Sequence, residues 1–214
     1  MEQKRRGLIA EAAKLGRLAQ KRKPPQGIST RSRALPHLWL MTDPDRLPDP
    51  VRTALTLPRG SGIIYRSFGR PQAMAEALAL ARLARQRGLT FLIGADDDLA
   101  RLVGADGVHL PERMMGRAKR LRARHPNWVI TTAAHSPRAI AKAARLGLDA
   151  ALVSPVFISQ SPSAGRPLGQ TRVALWISGT RMPVIALGGI GHKNARLLAG
   201  TGVWGIAAID GLRI

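Results

Sequence analysis

Several stretches of the 214-residue chain carry residues whose types and spacing suit chemistry. Ala186-Leu-Gly-Gly-Ile190 ends one apolar run, and Gly205-Ile-Ala-Ala-Ile-Asp-Gly211 forms another. Adjacent glycines let backbone N–H groups approach an anion with no Cβ in the way. Gly188, Gly189, Ile209 and Asp210 are therefore candidates to hold a phosphate. His135 follows the apolar run Val129–Thr131. Histidine titrates near neutrality and suits proton transfer on a bound heterocycle, although a loop or capping histidine is the plainer reading. Ser154, Ser159 and Ser161 lie on a long Ser/Pro-rich loop that ends at Leu168-Gly169, and their hydroxyls can donate to phosphate or ring atoms. Arg66 ends the run Gly62–Tyr65, a good place for binding a phosphate or carboxylate. The run Asp96-Asp97-Asp98 suits either a metal or the capping of a helix, and capping is favoured because aspartate complements the helix dipole. His109, inside the run Gly107–Leu110, reads as packing.

Positioning these groups requires regular elements, and the chain supplies them in alternation. Eight short apolar runs read as strands: Leu38–Met41, Gly62–Tyr65, Phe91–Ile93, Gly107–Leu110, Val129–Thr131, Ala150–Val153, Val184–Leu187 and Gly205–Ile209. Between them lie amphipathic helical stretches, clearest over Gln72–Arg87 and Ser136–Leu146. Ser136 suits an N-cap with Pro137 at the first turn, and Gly88 and Gly147 suit helix stops. Repeated strand–helix units imply parallel strands joined by crossovers, and eight of them close into a (β/α)₈ TIM barrel over residues 36–214. In such a barrel the functional groups project from the C-terminal strand ends, and phosphate sits in the loops after strands seven and eight. No GxGxxG follows the first strand, which argues against an open nucleotide-binding sheet.

Residues 1–35 differ. Leu8, Ile9, Ala12, Leu15 and Leu18 recur at three- and four-residue steps, predicting a basic amphipathic helix over about 6–20. The stretch from Lys21 to Pro36 reads as a linker. The chain ends a few residues past the eighth strand, so an ordinary eighth helix is missing. The N-terminal helix is expected to pack over the seam between strands eight and one instead.

Composition narrows the function. With 45% hydrophobic residues the chain is not disordered, and no apolar run reaches the roughly 18 residues that span a bilayer. No cysteine is present, which removes disulfides, thiolate nucleophiles and Cys-ligated zinc. No signal-peptide pattern opens the chain, so a cytoplasmic location is expected. The net charge of +21 draws phosphorylated metabolites or polyanions. With 4% aromatics there is no base-stacking platform, which argues against specific nucleic-acid binding.

Several motifs together resemble the thiamine phosphate synthase and thiazole tautomerase (TenI-like) family. They are Met41-Thr42-Asp43, Gly104-Ala-Asp-Gly-Val-His-Leu110, Ala134-His135-Ser136, Asp149-Ala-Ala-Leu-Val-Ser-Pro-Val-Phe157 and Pro183-Val-Ile-Ala-Leu-Gly-Gly-Ile190, in family order over about residues 37–210. The resemblance implies a thiamine-biosynthesis enzyme with a thiazole phosphate as ligand, a phosphate pocket at the last two strands, Thr42 in the substrate-binding set, and room for a homo-oligomer. The synthase branch joins a pyrimidine diphosphate to a thiazole phosphate with Mg²⁺ held by two aspartates, with an Asn, a Gln and a Lys nearby. Those positions hold Ala95, Arg113, Gly94, Ile64 and Phe68 here, and only Arg66 matches. Ala and Arg cannot supply the hard oxygen ligands that magnesium needs, although extra arginines could partly substitute. The tautomerase branch needs no metal, and Arg66, Leu110-Pro111 and His135 match it. Asp210 stands where the family usually has a small hydroxyl residue. The expectation is thus metal-independent, tautomerase-like proton transfer without a cofactor, with His135 as acid/base and Arg66 on the substrate carboxylate. The alternatives are a divergent synthase using Mg²⁺ and an inactive phosphate-ligand binder.

Overall fold

A computed structural model of the chain describes residues 2–20, 35–161 and 165–214. The eight strands are β1 (Leu38–Met41), β2 (Gly62–Tyr65), β3 (Thr90–Gly94), β4 (Gly107–Leu110), β5 (Val129–Ala134), β6 (Ala150–Val153), β7 (Val184–Leu187) and β8 (Gly205–Ala208). All neighbours are parallel, and β8 pairs with β1 (Trp39 opposite Ala207), so the sheet closes into a barrel in chain order. Five of the eight expected strand ranges match residue for residue. The third and fifth run longer and the eighth stops one residue earlier. Strand side chains such as Leu40, Ile63, Ile64, Leu92, Val108, Leu152 and Ile185 are buried, as expected for parallel strands covered on both faces.

The crossovers carry helices α2 (Pro50–Ala54), α3 (Ala73–Arg87), α4 (Asp97–Val103), α5 (Ala118–Arg124), α6 (Pro137–Arg145) and α7 (Gly169–Ile177), with short 3₁₀ turns at 112–117, 195–198 and 210–212. Local chemistry starts them. Asp49, Asp96 and Ser136 each accept a backbone N–H of the following first turn, from Arg52 (2.8 Å), Leu99 (2.8 Å) and Ala139 (3.1 Å). Asp96 is thus a cap, as favoured from the sequence. Gly88, left-handed at φ 64°, ends α3.

The N-terminal helix, α1 (Glu2–Gln20), begins earlier than the expected residue 6. It lies against β8, β1 and the two last 3₁₀ turns, over the seam between strands eight and one as expected. Its buried stripe is Leu8, Ala12, Leu15 and Ala19; Leu18 is turned out and 41% exposed. Leu8 packs at Gly211 and Gly7 at His192, whereas Gly16 meets His37 just before β1. The helix therefore starts at the C-terminal rim of the barrel and runs back toward its opposite end. Most of the expected linker, residues 21–34, lies outside the described residues. Among the described residues no helix is long and apolar enough to cross a membrane.

Candidate active site

The loops at the C-terminal strand ends surround a cavity of about 1080 Å³. Nine of the ten residues singled out from the sequence line it: Arg66, His135, Ser154, Ser159, Ser161, Gly188, Gly189, Ile209 and Asp210. Thr42 does not. It is buried beneath the wall, where its hydroxyl accepts the Arg66 N–H (2.9 Å) and its carbonyl accepts Arg66 Nε (2.8 Å). Its bearing on a ligand therefore runs through Arg66.

Gly188 and Gly189 have φ of 95° and 66°, in the left-handed region. The segment after β6 runs directly over them. Val156 N–H donates to the Leu187 carbonyl (2.9 Å) and Phe157 N–H to that of Gly188 (3.0 Å). A Cβ on Gly189 would overlap the Ile158 carbonyl, and one on Gly188 would come within 2.8 Å of Pro155 Cα. The glycine pair thus lets the serine-bearing loop close onto β7. Asn194 then fixes the loop beyond, donating from Nδ2 to the Gly189 carbonyl (2.8 Å) and accepting the Gly191 N–H (2.9 Å). With the Gly189 carbonyl held, the backbone N–H groups of Gly188, Gly189 and Asp210 donate to nothing among the described residues. Backbone N–H groups left unpaired at a cavity wall can donate to an anion.

Asp210 opens a 3₁₀ turn but does not cap it. Instead its carboxylate takes the Arg46 guanidinium in a two-pronged pair, Nε to Oδ1 at 3.2 Å and Nη2 to Oδ2. The repulsion that a carboxylate would exert on a phosphate is thereby offset by a cation from the loop after β1. Arg66 is held similarly, by Asp43 (3.0 Å), by the Thr42 carbonyl and by the Phe68 ring, whose centroid lies 5.0 Å from the guanidinium carbon. Burial, first, and the nearby Arg46 charge lower the Arg66 pKa, against the opposing pull of Asp43. The two guanidiniums therefore share one electrostatic neighbourhood. Arg166, Lys193 and Arg213 also line the cavity, and Asp210 is the sole carboxylate among its described lining residues.

His135 is exposed at the rim. Its backbone N–H donates to Glu112 (2.7 Å), and its Nδ1 lies 3.2 Å from the Ser154 carbonyl. A carbonyl only accepts, so Nδ1 carries the proton and Nε2 is the basic nitrogen. His109 is fully packed and bonded to Thr131 Oγ1 (2.9 Å). Burial, and secondarily the Arg66 charge, push its pKa down to about 3, so it stays neutral.

The sequence reading gave no role to Arg46 or Asn194, and named Asp43 only within the first-strand motif. Asp43-Pro-Asp-Arg46 looks like a turn, and nothing local announces that Arg46 meets a residue 164 positions later. Asn194, three residues past Gly191, was the more findable signal.

Comparisons with known proteins agree with this geometry. The family model described as "Thiamine monophosphate synthase" matches residues 44–212. A thiamine-phosphate synthase of Chlorobium luteolum is 34% identical over 181 residues, covering 82% of this chain and 84% of that protein. A putative thiamine-phosphate synthase 2 of Aquifex aeolicus is 34% identical over 138 residues, covering 61% and 74%. The solved thiamine phosphate pyrophosphorylase of Pyrococcus furiosus superposes with a TM-score of 0.70 at 29% identity, covering 82% of this chain and 85% of its own.

Proposed function

The chain belongs to the thiamine monophosphate synthase family, and on that premise we propose that it joins a pyrimidine diphosphate to a thiazole phosphate, releasing diphosphate. The relatives' names favour this condensation over the proton shift to which the sequence pointed. The observation that carries it is the cavity itself. At about 1080 Å³ it is larger than most single-ligand pockets, and cations face it from several walls. That volume and charge can accommodate two phosphate-bearing ligands.

The amides of Gly188, Gly189 and Asp210, which donate to no described residue, suit the thiazole phosphate, with Ser159 or Ser161 supplementing them. Arg66, fixed by Asp43 and Thr42, suits the departing diphosphate. Magnesium, which the family resemblance implies, does not fit the residues present. The positions that the resemblance matches to the magnesium aspartates hold Ala95 and Arg113, which offer no oxygen ligand, and Asp43 and Asp210 are turned onto arginines. A side chain at Gly94 would meet Arg66 Cγ at 3.1 Å and the Tyr65 carbonyl at 3.2 Å.

One observation favours a second reading. His135, with Nδ1 held by Ser154 and Nε2 basic, is built to move a proton on a ring, as a metal-independent thiazole tautomerase would require. Incubating the protein with both phosphorylated precursors, and separately with a thiazole carboxylate phosphate alone, separates the two. Thiamine phosphate in the first mixture supports condensation. Aromatised thiazole in the second, with none in the first, replaces it by the proton shift. Turnover in neither leaves a phosphate-ligand binder.

A further inference from the structure

Arg46 is one of the charged groups on the cavity wall that the family reading leaves without a role, and the one fixed by a two-pronged ion pair. It reaches from the loop after β1 to the end of β8, and its side chain is 18% exposed. Arg66 comes in from β2 with 27% side-chain exposure, and its stem lies over Gly94, occupying the space that an oxygen-bearing side chain at that position would need. Two guanidiniums thus stand where strands β1, β2, β3 and β8 end, and the position next to Gly94 is Ala95, which offers no ligand atom. Among the described residues no cluster of three or more His, Asp or Glu side chains is placed to hold a metal ion. The acid groups nearest this rim, Asp43 and Asp210, serve instead to fix the arginines.

We infer that this rim binds a diphosphate group through Arg46 and Arg66, whose guanidiniums take the charge-neutralising place of a divalent metal ion. The inference deepens the proposed condensation and rests on it for the identity of the ligand. Guanidinium suits this role because it stays protonated and its planar fork donates in pairs to phosphate oxygens. Each fork keeps N–H donors beyond those engaged by its carboxylate, because a guanidinium carries five. The Asp210 partner has a second consequence. Its side chain is half exposed, so an arriving anion can compete for Arg46 at little cost in burial.

Titration calorimetry with inorganic pyrophosphate, first in EDTA and then with excess magnesium, tests the inference without requiring turnover. Pyrophosphate is expected to bind in EDTA, and magnesium is expected not to tighten it. Arg46→Ala should weaken binding about tenfold or more, and Arg46→Lys, which keeps the charge without the fork, by a smaller factor. The double variant Lys142→Ala/Arg145→Ala, on α6 away from the cavity, should bind as the parent does, which separates a built site from the general pull of a chain of +21. Melting curves establish that each variant is folded. Binding that appears only with magnesium, an unchanged affinity in Arg46→Ala, or an equal loss in the α6 variant would each overturn the inference. Pyrophosphate binding in EDTA without thiamine phosphate formation would remove the condensation and keep the site. A magnesium requirement with turnover would do the reverse.

Discussion

Leu8→Ala probes how a helix from outside the family-matched region supports the site. Leu8 is 0% exposed and packs at Gly211, one residue after Asp210. Truncating a fully buried leucine costs about 3 kcal/mol, from lost transfer energy plus the cavity left behind. For a domain of this size, each kcal/mol moves the melting temperature by about 2–4 °C. The expected drop is therefore about 6–12 °C by circular dichroism. Leu18→Ala, at a position 41% exposed on the same helix, should change stability by less than about 0.5 kcal/mol. Because Gly211 adjoins the proposed phosphate-binding amide of Asp210, Leu8→Ala should also weaken phosphate binding, whereas Leu18→Ala should not. Equal effects from the two variants would refute the docking of α1 over the seam between β8 and β1. A destabilised Leu8→Ala with unaltered phosphate affinity would refute the link from helix to site.

Gly189→Ala places a Cβ in left-handed backbone, which costs about 1–2 kcal/mol, and drives it into the Ile158 carbonyl. The loop after β6 must then move, so binding of inorganic phosphate should fall at least tenfold; near-parent affinity would remove the glycine pair from the site. Asp210→Ser removes a carboxylate beside the anion and frees Arg46. At a separation of roughly 5 Å in a largely solvated environment this is worth about 1 kcal/mol, or about fivefold tighter phosphate binding; weaker binding would contradict it. His109 stays neutral in the folded chain down to about pH 3 but takes up a proton near pH 6.5 when unfolded. The unfolded state then binds more protons between those values. Stability therefore falls as pH drops through that window, by at most about 1.4 kcal/mol per unit. His109→Asn should flatten that part of the stability–pH curve, and an unchanged slope would argue against a buried neutral histidine.

The barrel was legible because its strands are short aliphatic runs bounded by Gly, Pro or polar residues, and because parallel strands buried on both faces need no alternation to be found. Caps were legible for the same local reason: Ser136-Pro137 and Asp96 act on amides three residues away. The N-terminal helix was readable from its period, but its buried face was not. Leu18 fits the apolar spacing as well as Leu15 does, and only docking on the barrel separates them. Within the site, the glycine pair was visible while its reason was not, since the approach of Ile158 to Gly189 is a tertiary fact. Thr42 was placed in the ligand set by resemblance, whereas packing sets it under Arg66. The Arg46–Asp210 pair joins opposite ends of the barrel sequence and leaves no trace in spacing. That pair changes the reading of Asp210 from an obstacle into a neutralised neighbour.

The most direct measurement is a titration of the labelled protein with a thiazole phosphate, followed through amide proton–nitrogen spectra. The largest shifts should fall on Gly188, Gly189, Ile209 and Asp210, saturating together with a single dissociation constant. Shifts concentrated instead on the basic outer helices α5 and α6, with those four amides unmoved, would contradict a phosphate site at the ends of β7 and β8.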